Sequence, residues 1–355
     1  MTRQPTLPAP LRLTAGLAAT ALLAAGCTAT PTAPGDDDAA AGGPWRDAAP
    51  MALERQELYP EAVDGRIYVA GGLLNPNTGV SAHFDAYDPQ DDVWHRLAPL
   101  PAARHHVGLA EADGSVYAVG GFSGGFPRWR AEADTFVYSP EDDTWSDGVP
   151  LPGPRAEFVV ESVDDRVYVI GGRVPETPGA TSFTTHVDSD STEVFDPATG
   201  RWSAAAPAPT ARNSAASAVL DGRIYVIGGR EFSLADDGSA VQENLATVEV
   251  YDPVSDTWAE TAPLPEPRGG LAAAVHDGAI YAFGGEQHDP EPEVYDDVWR
   301  YDPAADSWTA VDDLPTPRHG LGAATVGDVI YTFGGGTEVG GDHASARTEA
   351  YAPES

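Results

Sequence analysis

Several charged side chains follow Gly-Gly pairs that recur along the chain, at positions where the residue type differs from one pair to the next. Directly after its glycine pairs, the chain carries one list of candidate ligand-binding residues: Arg173, Arg230, Glu231 and Glu286. Two guanidinium groups at matching positions predict a clamp for an anion or carboxylate, because the planar fork fits two oxygens. The alternative is that these arginines pair with nearby acids such as Glu157 or Glu286.

A second set of candidates follows an arginine that recurs along the chain: His105, Glu157, Asn213 and His319. Glu231 beside Arg230 could serve as an acid/base pair, which is enough in principle for the mutarotation of a sugar. His105 and His106 are adjacent, and adjacent residues of a strand point to opposite faces. We therefore expect no shared metal site, and neither a metal nor a cofactor is predicted.

The segment 122–131 is the most aromatic loop of the chain and contains the candidates Arg128 and Trp129. Sugar rings and protein partners both stack on such side chains. The competing interpretation is that the loop packs on its own structural unit. Both remain open from the sequence.

These candidates are placed by a repeat of about fifty residues. A tryptophan recurs at positions 45, 94, 145, 202, 258 and 308, with an arginine ten residues later and a Tyr-x-x-Gly-Gly motif beginning twenty-three residues later. An aromatic-x-Pro triplet precedes each tryptophan except the first by seven residues. A residue present in every unit packs the scaffold, so these repeated positions are predicted to be structural.

Each unit reads as four short strands. Asp-Gly dipeptides at four of the six first turns favour the type I′ hairpin, and alternating apolar residues then run to the glycine pair. The offset from the second glycine to the next aromatic-x-Pro varies from 15 to 23 residues, whereas the other spacings hold. The variable loops should therefore open on one face, where binding sites on rigid scaffolds usually lie.

The repeated Gly-Gly, aromatic-x-Pro and tryptophan pattern resembles the kelch repeat, whose period is near fifty residues. This resemblance covers residues 45–355 and implies an all-β, six-bladed kelch-type β-propeller with four antiparallel strands per blade. The N-terminal strand around Trp45 is expected to close the last blade. There is also a distant resemblance to N-acetylneuraminate epimerase and galactose oxidase propellers. Copper chemistry of the galactose oxidase type is disfavoured because residues 45–355 contain no cysteine.

The charge of the chain limits its partners. Its formal net charge is −35, and all 20 basic residues are arginines. Such a surface repels nucleic acid and anionic lipid headgroups. We expect a monomeric propeller that binds a carbohydrate or a protein, with no nucleic acid partner. An enzyme of the N-acetylneuraminate epimerase type is the alternative.

The N-terminal residues predict export. Two arginines and an apolar run lead to Gly26 and Cys27, the only cysteine of the chain, in a pattern that resembles a bacterial lipobox. Residues 1–26 are expected to be a signal peptide and Cys27 to be lipidated. Residues 27–44 read as a flexible linker, small, polar and acidic. The protein is thus expected outside the cytoplasm, attached to the cell membrane only through this lipid.

Overall fold

The computed structural model describes residues 43–353. The expected signal peptide, the lipidation site Cys27 and most of the expected linker lie outside these residues. The regular secondary structure of residues 43–353 is β-strand, apart from one 3-10 helix at Phe183–Thr185. No helix among residues 43–353 is long and apolar enough to cross a membrane.

Six four-stranded antiparallel sheets form the six blades of a propeller, as predicted. Blade 1 contains Glu61–Val63, Arg66–Ala70, Phe84–Asp88 and Val93–Arg96. Blade 2 contains Gly108–Ala112, Ser115–Val119, Thr135–Ser139 and Thr144–Asp147. Blade 3 contains Val159–Val163, Arg166–Ile170, Thr192–Asp196 and Arg201–Ala205. Blade 4 contains Ala216–Leu220, Arg223–Ile227, Val248–Asp252 and Thr257–Glu260. Blade 5 contains Ala272–His276, Ala279–Phe283, Asp297–Asp302 and Ser307–Asp313.

Blade 6 is built from both ends of the described chain. Its strands Gly322–Val326, Val329–Phe333 and Thr348–Tyr351 are completed by the N-terminal strand Trp45–Ala48. Trp45 lies opposite Tyr351 in the register, and their ring centroids are 4.6 Å apart. The predicted closure of the last blade by the N-terminal strand is confirmed.

The hydrophobic core lies between neighbouring blades. Phe84 of blade 1 packs edge-on against Tyr138 and Trp145 of blade 2, with centroids 4.7 and 4.8 Å apart. Equivalent clusters of buried residues join the other blades. Each blade is thus stabilised by burying its aromatic side chains against the next one.

The glycine pairs explain how the blades approach each other so closely. The second glycine of each pair donates its N–H to the carbonyl of the repeated arginine in the following blade, from Gly72 to Arg104 through to Gly335 and Arg55. Both glycines of each pair have positive φ. A Cβ on Gly284 would lie 2.2 Å from the Arg318 carbonyl oxygen. Only glycine fits this contact.

The repeated arginines are structural, as predicted. All six are buried, and each forms an ion pair with an acid in or next to the third strand of its blade, as Arg318 does with Glu349 at 2.5 Å. Five of them also donate to the carbonyl of the first glycine of the pair. These positions are therefore committed to holding the blade together.

The variable loops after the glycine pairs fold into five short two-stranded ribbons. Their strands are Leu73–Leu74 with Gly79–Val80, Phe122–Ser123 with Arg130–Ala131, Arg173–Pro175 with His186–Asp188, Arg230–Leu234 with Ala240–Asn244, and Glu286–Gln287 with Glu293–Val294. The residue after each repeated arginine pairs with the residue after a glycine pair, from Gln56 with Leu73 to His319 with Gly336. Both sets of candidate residues thus begin on the same face, which we call the loop face.

Candidate functional site

A cavity of about 250 Å³ opens at the centre of the loop face. We call it the funnel. Its wall combines aromatic side chains with charged and amide groups, and the members that matter most below are Glu57, His106, Phe126, Trp129, Glu157, Phe183, Arg230 and Glu286. Members of both candidate sets and of the aromatic loop therefore meet in the funnel.

The base of the funnel is a ring of main-chain hydrogen bonds. The residue two positions after each repeated arginine has positive φ in all six blades: Glu57, His106, Glu157, Ser214, Gly270 and Gly320. Five of these six residues donate their N–H to the carbonyl of the equivalent residue in the preceding blade, with distances from 2.6 to 3.4 Å. The backbone thus places three ionisable side chains on one half of the ring and small residues on the other.

The buried His106 forms an ion pair with the partly exposed Glu57. His106 Nε2 lies 2.9 Å from Glu57 Oε2. Burial alone would lower the pKa of His106, but the carboxylates of Glu57 and Glu157 outweigh it, so that this pKa is raised. Burial would likewise raise the pKa of Glu57, but His106 outweighs it and the pKa is lowered.

His106 also contacts a second imidazole, that of His105. His105 Nδ1 lies 2.6 Å from His106 Nδ1. Burial and the charge of His106 hold the pKa of His105 well below its ordinary value, which favours a neutral His105 ring that accepts a hydrogen bond from His106 Nδ1. The expectation that these two side chains point to opposite faces is wrong, because His106 has φ of 51° and leaves the strand alternation.

On the opposite side of the funnel, Arg230 is already paired. Its Nη2 lies 2.6 Å from Glu286 Oε1, and the N–H of Gly340 donates to Glu286 Oε2 at 2.8 Å. Burial would raise the pKa of Glu286, but the charges of Arg230 and His319 and the contact with His288 hold it far below its ordinary value. Pairing with Glu286 is the alternative that the sequence left open.

Arg173 does not line the funnel. Its side chain is fully buried, with its guanidinium 4.0 Å from the ring centroid of Phe232 and 4.6 Å from that of Phe183. It donates to the carbonyls of Phe183 and His186. The predicted anion clamp of Arg173 and Arg230 is therefore wrong, because one arginine supports the aromatic wall and the other is neutralised.

Two further candidates lie away from the funnel. Glu231 is exposed, because it follows Arg230 in a ribbon strand and alternation turns it outward. The proposed acid/base pair of Glu231 with Arg230 is therefore wrong. Arg128 is also exposed, whereas its neighbour Trp129 is buried and lines the funnel.

Asn213, His105 and His319 support the wall from behind. Asn213 donates to Asp188 at 2.8 Å and to the Arg230 carbonyl at 3.2 Å. His319 Nδ1 lies 3.4 Å from Glu286 Oε1. These side chains are buried and hold groups that face the cavity.

The aromatic wall comes from blades 2 and 3. Trp129 packs edge-on against Phe183 at 5.0 Å and contacts Phe122 and His105 at 5.2 and 4.8 Å. Phe126 lies 6.0 Å from Phe183 and is 46% exposed. The loop 122–131 thus packs on its neighbours and also presents rings to the cavity, which joins the two interpretations of it.

Sequence reasoning did not select Glu57, His106 and Phe183. The first two share the position of Glu157, two residues after a repeated arginine, and that equivalence is the signal that identifies them. Phe183 lies in the longest variable loop, and nothing in its spacing distinguishes it.

Comparison with known families places the chain among repeat proteins. The profile described as the KLHDC2/KLHL20/DRC7 Kelch-repeats domain matches residues 149–335, more than half of the chain. The Kelch motif matches residues 60–101 and 103–152. Together these matches include all six glycine pairs, from Gly71-Gly72 to Gly334-Gly335.

Individual relatives are larger proteins. The chain is 31% identical over 247 residues to Kelch-like protein 40 of Homo sapiens, which is 67% of this chain and 37% of that protein. It is 29% identical over 301 residues to Kelch-like protein terF of Aspergillus terreus, which is 78% of this chain and 61% of that protein. The match thus covers less than two thirds of either relative.

Among solved structures, the fold is similar to that reported as the structure of YjhT. The TM-score is 0.70 with 18% sequence identity, and the match covers 85% of this chain and 95% of the other. At this identity the likeness concerns the fold alone.

Proposed function

The chain belongs to the kelch-repeat family, and from that premise we propose that it binds a carbohydrate of about one sugar ring in the funnel of the loop face. The observation that carries this proposal is the composition of the funnel wall. The rings of Trp129, Phe126 and Phe183 line the same cavity as the polar groups of Glu57, Glu157 and Arg230. Sugars present both an apolar face and several hydroxyl groups, and this combination matches them.

The size of the funnel supports a small ligand. Its volume of about 250 Å³ lies slightly below the roughly 300 Å³ at which pockets for drug-sized ligands begin. Many of its charged groups are already paired with each other, so their remaining hydrogen-bonding capacity is fixed in direction. Such preorganised groups favour the binding of a rigid ring.

The test is calorimetric titration with a panel of monosaccharides. We expect saturable binding that Trp129→Ala weakens by at least about tenfold, or about 1.4 kcal/mol. Arg128→Ala is the matched control, because this exposed neighbour from the same loop lies outside the funnel and should leave binding unchanged. Absence of saturable binding by every sugar of the panel would contradict the proposal.

Catalysis on the bound sugar is a second candidate, favoured by the Glu57–His106 pair. A carboxylate and an imidazolium in one cavity can take a proton from an anomeric hydroxyl and give one to the ring oxygen, which opens the ring and exchanges the anomers. Proton NMR of freshly dissolved sugar would detect this. Equal rates of anomer equilibration with and without the protein would exclude it.

A protein partner is the other possible ligand of the loop face. Phe126, Val187 and Leu234 are apolar side chains of its loops with exposures of 46%, 43% and 51%. Exposed apolar groups on loops are typical of interaction surfaces. The sugar titration separates the alternatives, because a protein-only site would bind none of the panel.

We propose further that the protein is exported and anchored to the outer side of the cell membrane by a lipid on Cys27. The lipobox-like residues before this cysteine support the proposal. Cys27→Ser should move the protein from the membrane fraction to the soluble fraction. Unchanged retention in the membrane fraction would contradict lipid anchoring.

A further inference from the structure

Glu157 is a funnel carboxylate to which no side chain or main-chain N–H of residues 43–353 donates a hydrogen bond. Its side chain is 5% exposed and lines the cavity. The nearest charged atom is His106 Nε2, 3.9 Å from Glu157 Oε1. A buried carboxylate without donors costs free energy, so a donor supplied by a ligand would stabilise it.

The other two funnel carboxylates differ from Glu157 in this respect. Glu57 has His106 at 2.9 Å, and Glu286 has Arg230 at 2.6 Å together with a main-chain N–H. The basic groups His106 and Arg230 are thus already paired with these two carboxylates. Glu157 therefore carries the charge that these pairs do not neutralise.

Arg173 is the remaining cation near this side of the funnel, and it does not reach Glu157. In the described part of the chain it forms no ion pair within 4.0 Å, because its guanidinium is held between the rings of Phe183 and Phe232 and bonded to two carbonyl groups. Its charge reduces the local negative potential but supplies no hydrogen bond to the carboxylate. A ligand in the cavity can supply the missing donor.

The aromatic wall favours a particular kind of donor. Trp129, Phe126 and Phe183 line the same cavity as Glu157. The face of an aromatic ring attracts a cation, and tryptophan does so most strongly. The formal net charge of −35 adds a long-range attraction for cations.

We propose, building on the proposed carbohydrate function, that the ligand of the funnel carries a protonated amine, as an amino sugar does, and that its ammonium group donates to Glu157. The proposed ligand is therefore a cation, whereas the arginines in the sequence predict an anionic ligand. The ammonium group supplies the missing donors and the opposite charge in one step. A neutral hydroxyl would supply only the donor.

The experiment compares matched sugars at about pH 6, where a sugar amine is protonated. Glucosamine, galactosamine and mannosamine are titrated against the parent hexoses and the N-acetyl derivatives. We expect each accepted amine to bind at least tenfold more tightly than its N-acetyl form. Glu157→Gln should remove this preference while the binding of neutral sugars remains, and Glu61→Gln, outside the funnel lining, should leave it intact.

The outcomes separate this proposal from the proposed function. Equal affinity for amines and neutral sugars would overturn the ammonium proposal and leave carbohydrate binding standing. Binding of no sugar would overturn both. If Glu157→Gln does not fold, the salt dependence of the wild type decides, because an ion pair weakens when salt is raised and a hydroxyl contact does not. An amine preference that salt does not reduce would contradict the ion pair.

Discussion

At the scale of single residues, the glycine pairs carry contacts that no other residue can make. Gly284 has φ of 57°, and a Cβ on it would lie 2.2 Å from the carbonyl oxygen of Arg318. Gly278 has a similar φ of 70°, but nothing lies within 4 Å of its Cβ position. Substitution of Gly278 therefore tests the effect of backbone strain alone, whereas substitution of Gly284 tests backbone strain together with the close contact between blades.

We predict that Gly284→Ala lowers the free energy of unfolding by more than Gly278→Ala does. The control should cost about 1–2 kcal/mol, because it places a side chain in the left-handed region only. Gly284→Ala adds the displacement of the next blade, and its cost should exceed this by at least about 1 kcal/mol. Denaturant unfolding measures both, and equal costs would mean that the blades separate without resistance.

A second residue-scale prediction concerns Glu61 and Glu161, which line another cavity, of about 270 Å³, between the first strands of the blades. Burial, helped by the charge of Glu161, raises the pKa of Glu61 to about 8. Burial raises the pKa of Glu161 to about 7, against a hydrogen bond from Ser217. Both values lie above the ordinary value of 4.5, so the folded state favours the protonated forms. Their stabilising contribution is complete below about pH 4.5 and is lost as the pH rises through 7 to 8.

Glu61→Gln should therefore raise the melting temperature at about pH 9 and change it little at about pH 4.5. The expected gain in the free energy of unfolding at high pH is on the order of 1–2 kcal/mol. Exposed Glu141→Gln is the control and should act alike at both pH values. A pH-independent effect of Glu61→Gln would show that the carboxyl group titrates normally.

Residue by residue, the sequence locates the funnel better than it assigns roles within it. Glu157, Arg230, Glu286 and Trp129 line the cavity because their places after the repeated motifs fix where their backbones lie. The partner of Arg230 was open because a pairing across blades 4 and 5 depends on side-chain reach, which spacing does not encode. The orientation of His106 was missed because its positive φ has no sequence signature.

At the scale of elements, neighbouring blades are joined by a repeated staple. In four blades the tyrosine of the aromatic-x-Pro triplet donates to an aspartate five residues later, as Tyr251 does to Asp256 at 2.7 Å. The same aspartate accepts a main-chain N–H of the preceding blade, here that of Ala206 at 2.7 Å. Blade 3 has Phe195 and Gly200 at these two positions and lacks the staple.

Installing the missing staple should stabilise the protein. Phe195→Tyr combined with Gly200→Asp would supply the hydroxyl and the carboxylate, with Val149 offering the matching N–H. Gly200 has φ of 63°, close to the 47° to 53° of the four aspartates, and aspartate tolerates that region. We expect the double variant to gain about 1 kcal/mol in denaturant unfolding. Phe195→Tyr alone is the control, and a gain from it without Gly200→Asp would refute the staple.

The strands and hairpin turns of the blades could be predicted because the same sequence motif recurs in all six blades. Turns with positive φ at both central residues, as in type I′, occur in five blades, at Asp64-Gly65 and its equivalents, whereas in blade 6 only Gly327 of Gly327-Asp328 has positive φ. The repeat also located the variable loops on one face. It could not give their conformations, since each ribbon has its own length and the cluster of Phe183, Trp129 and Phe126 joins two different loops.

At the scale of the whole molecule, one strand closes the circle of blades. Trp45 packs against Tyr351 of its own blade and against Phe283 of blade 5, with centroids 4.6 and 6.2 Å apart. Trp45→Ala should lower the free energy of unfolding by about 3 kcal/mol. Asp47→Ala, on the same strand but largely exposed, should have almost no effect. Equal melting temperatures for the two variants would show that closure does not contribute to stability.

The ring of main-chain bonds at the base of the funnel has a consequence for how such a protein changes. Because the backbone makes these bonds, they do not depend on which side chain stands at Glu57, His106, Glu157 or Ser214. Their shared positive φ limits which residue types fit at these positions: Val, Ile and Thr are disfavoured, whereas Gly, Asn and Asp are accepted. If the proposed ligand binds in the funnel, substitutions at these positions should change which ligand is bound while the blades keep their arrangement.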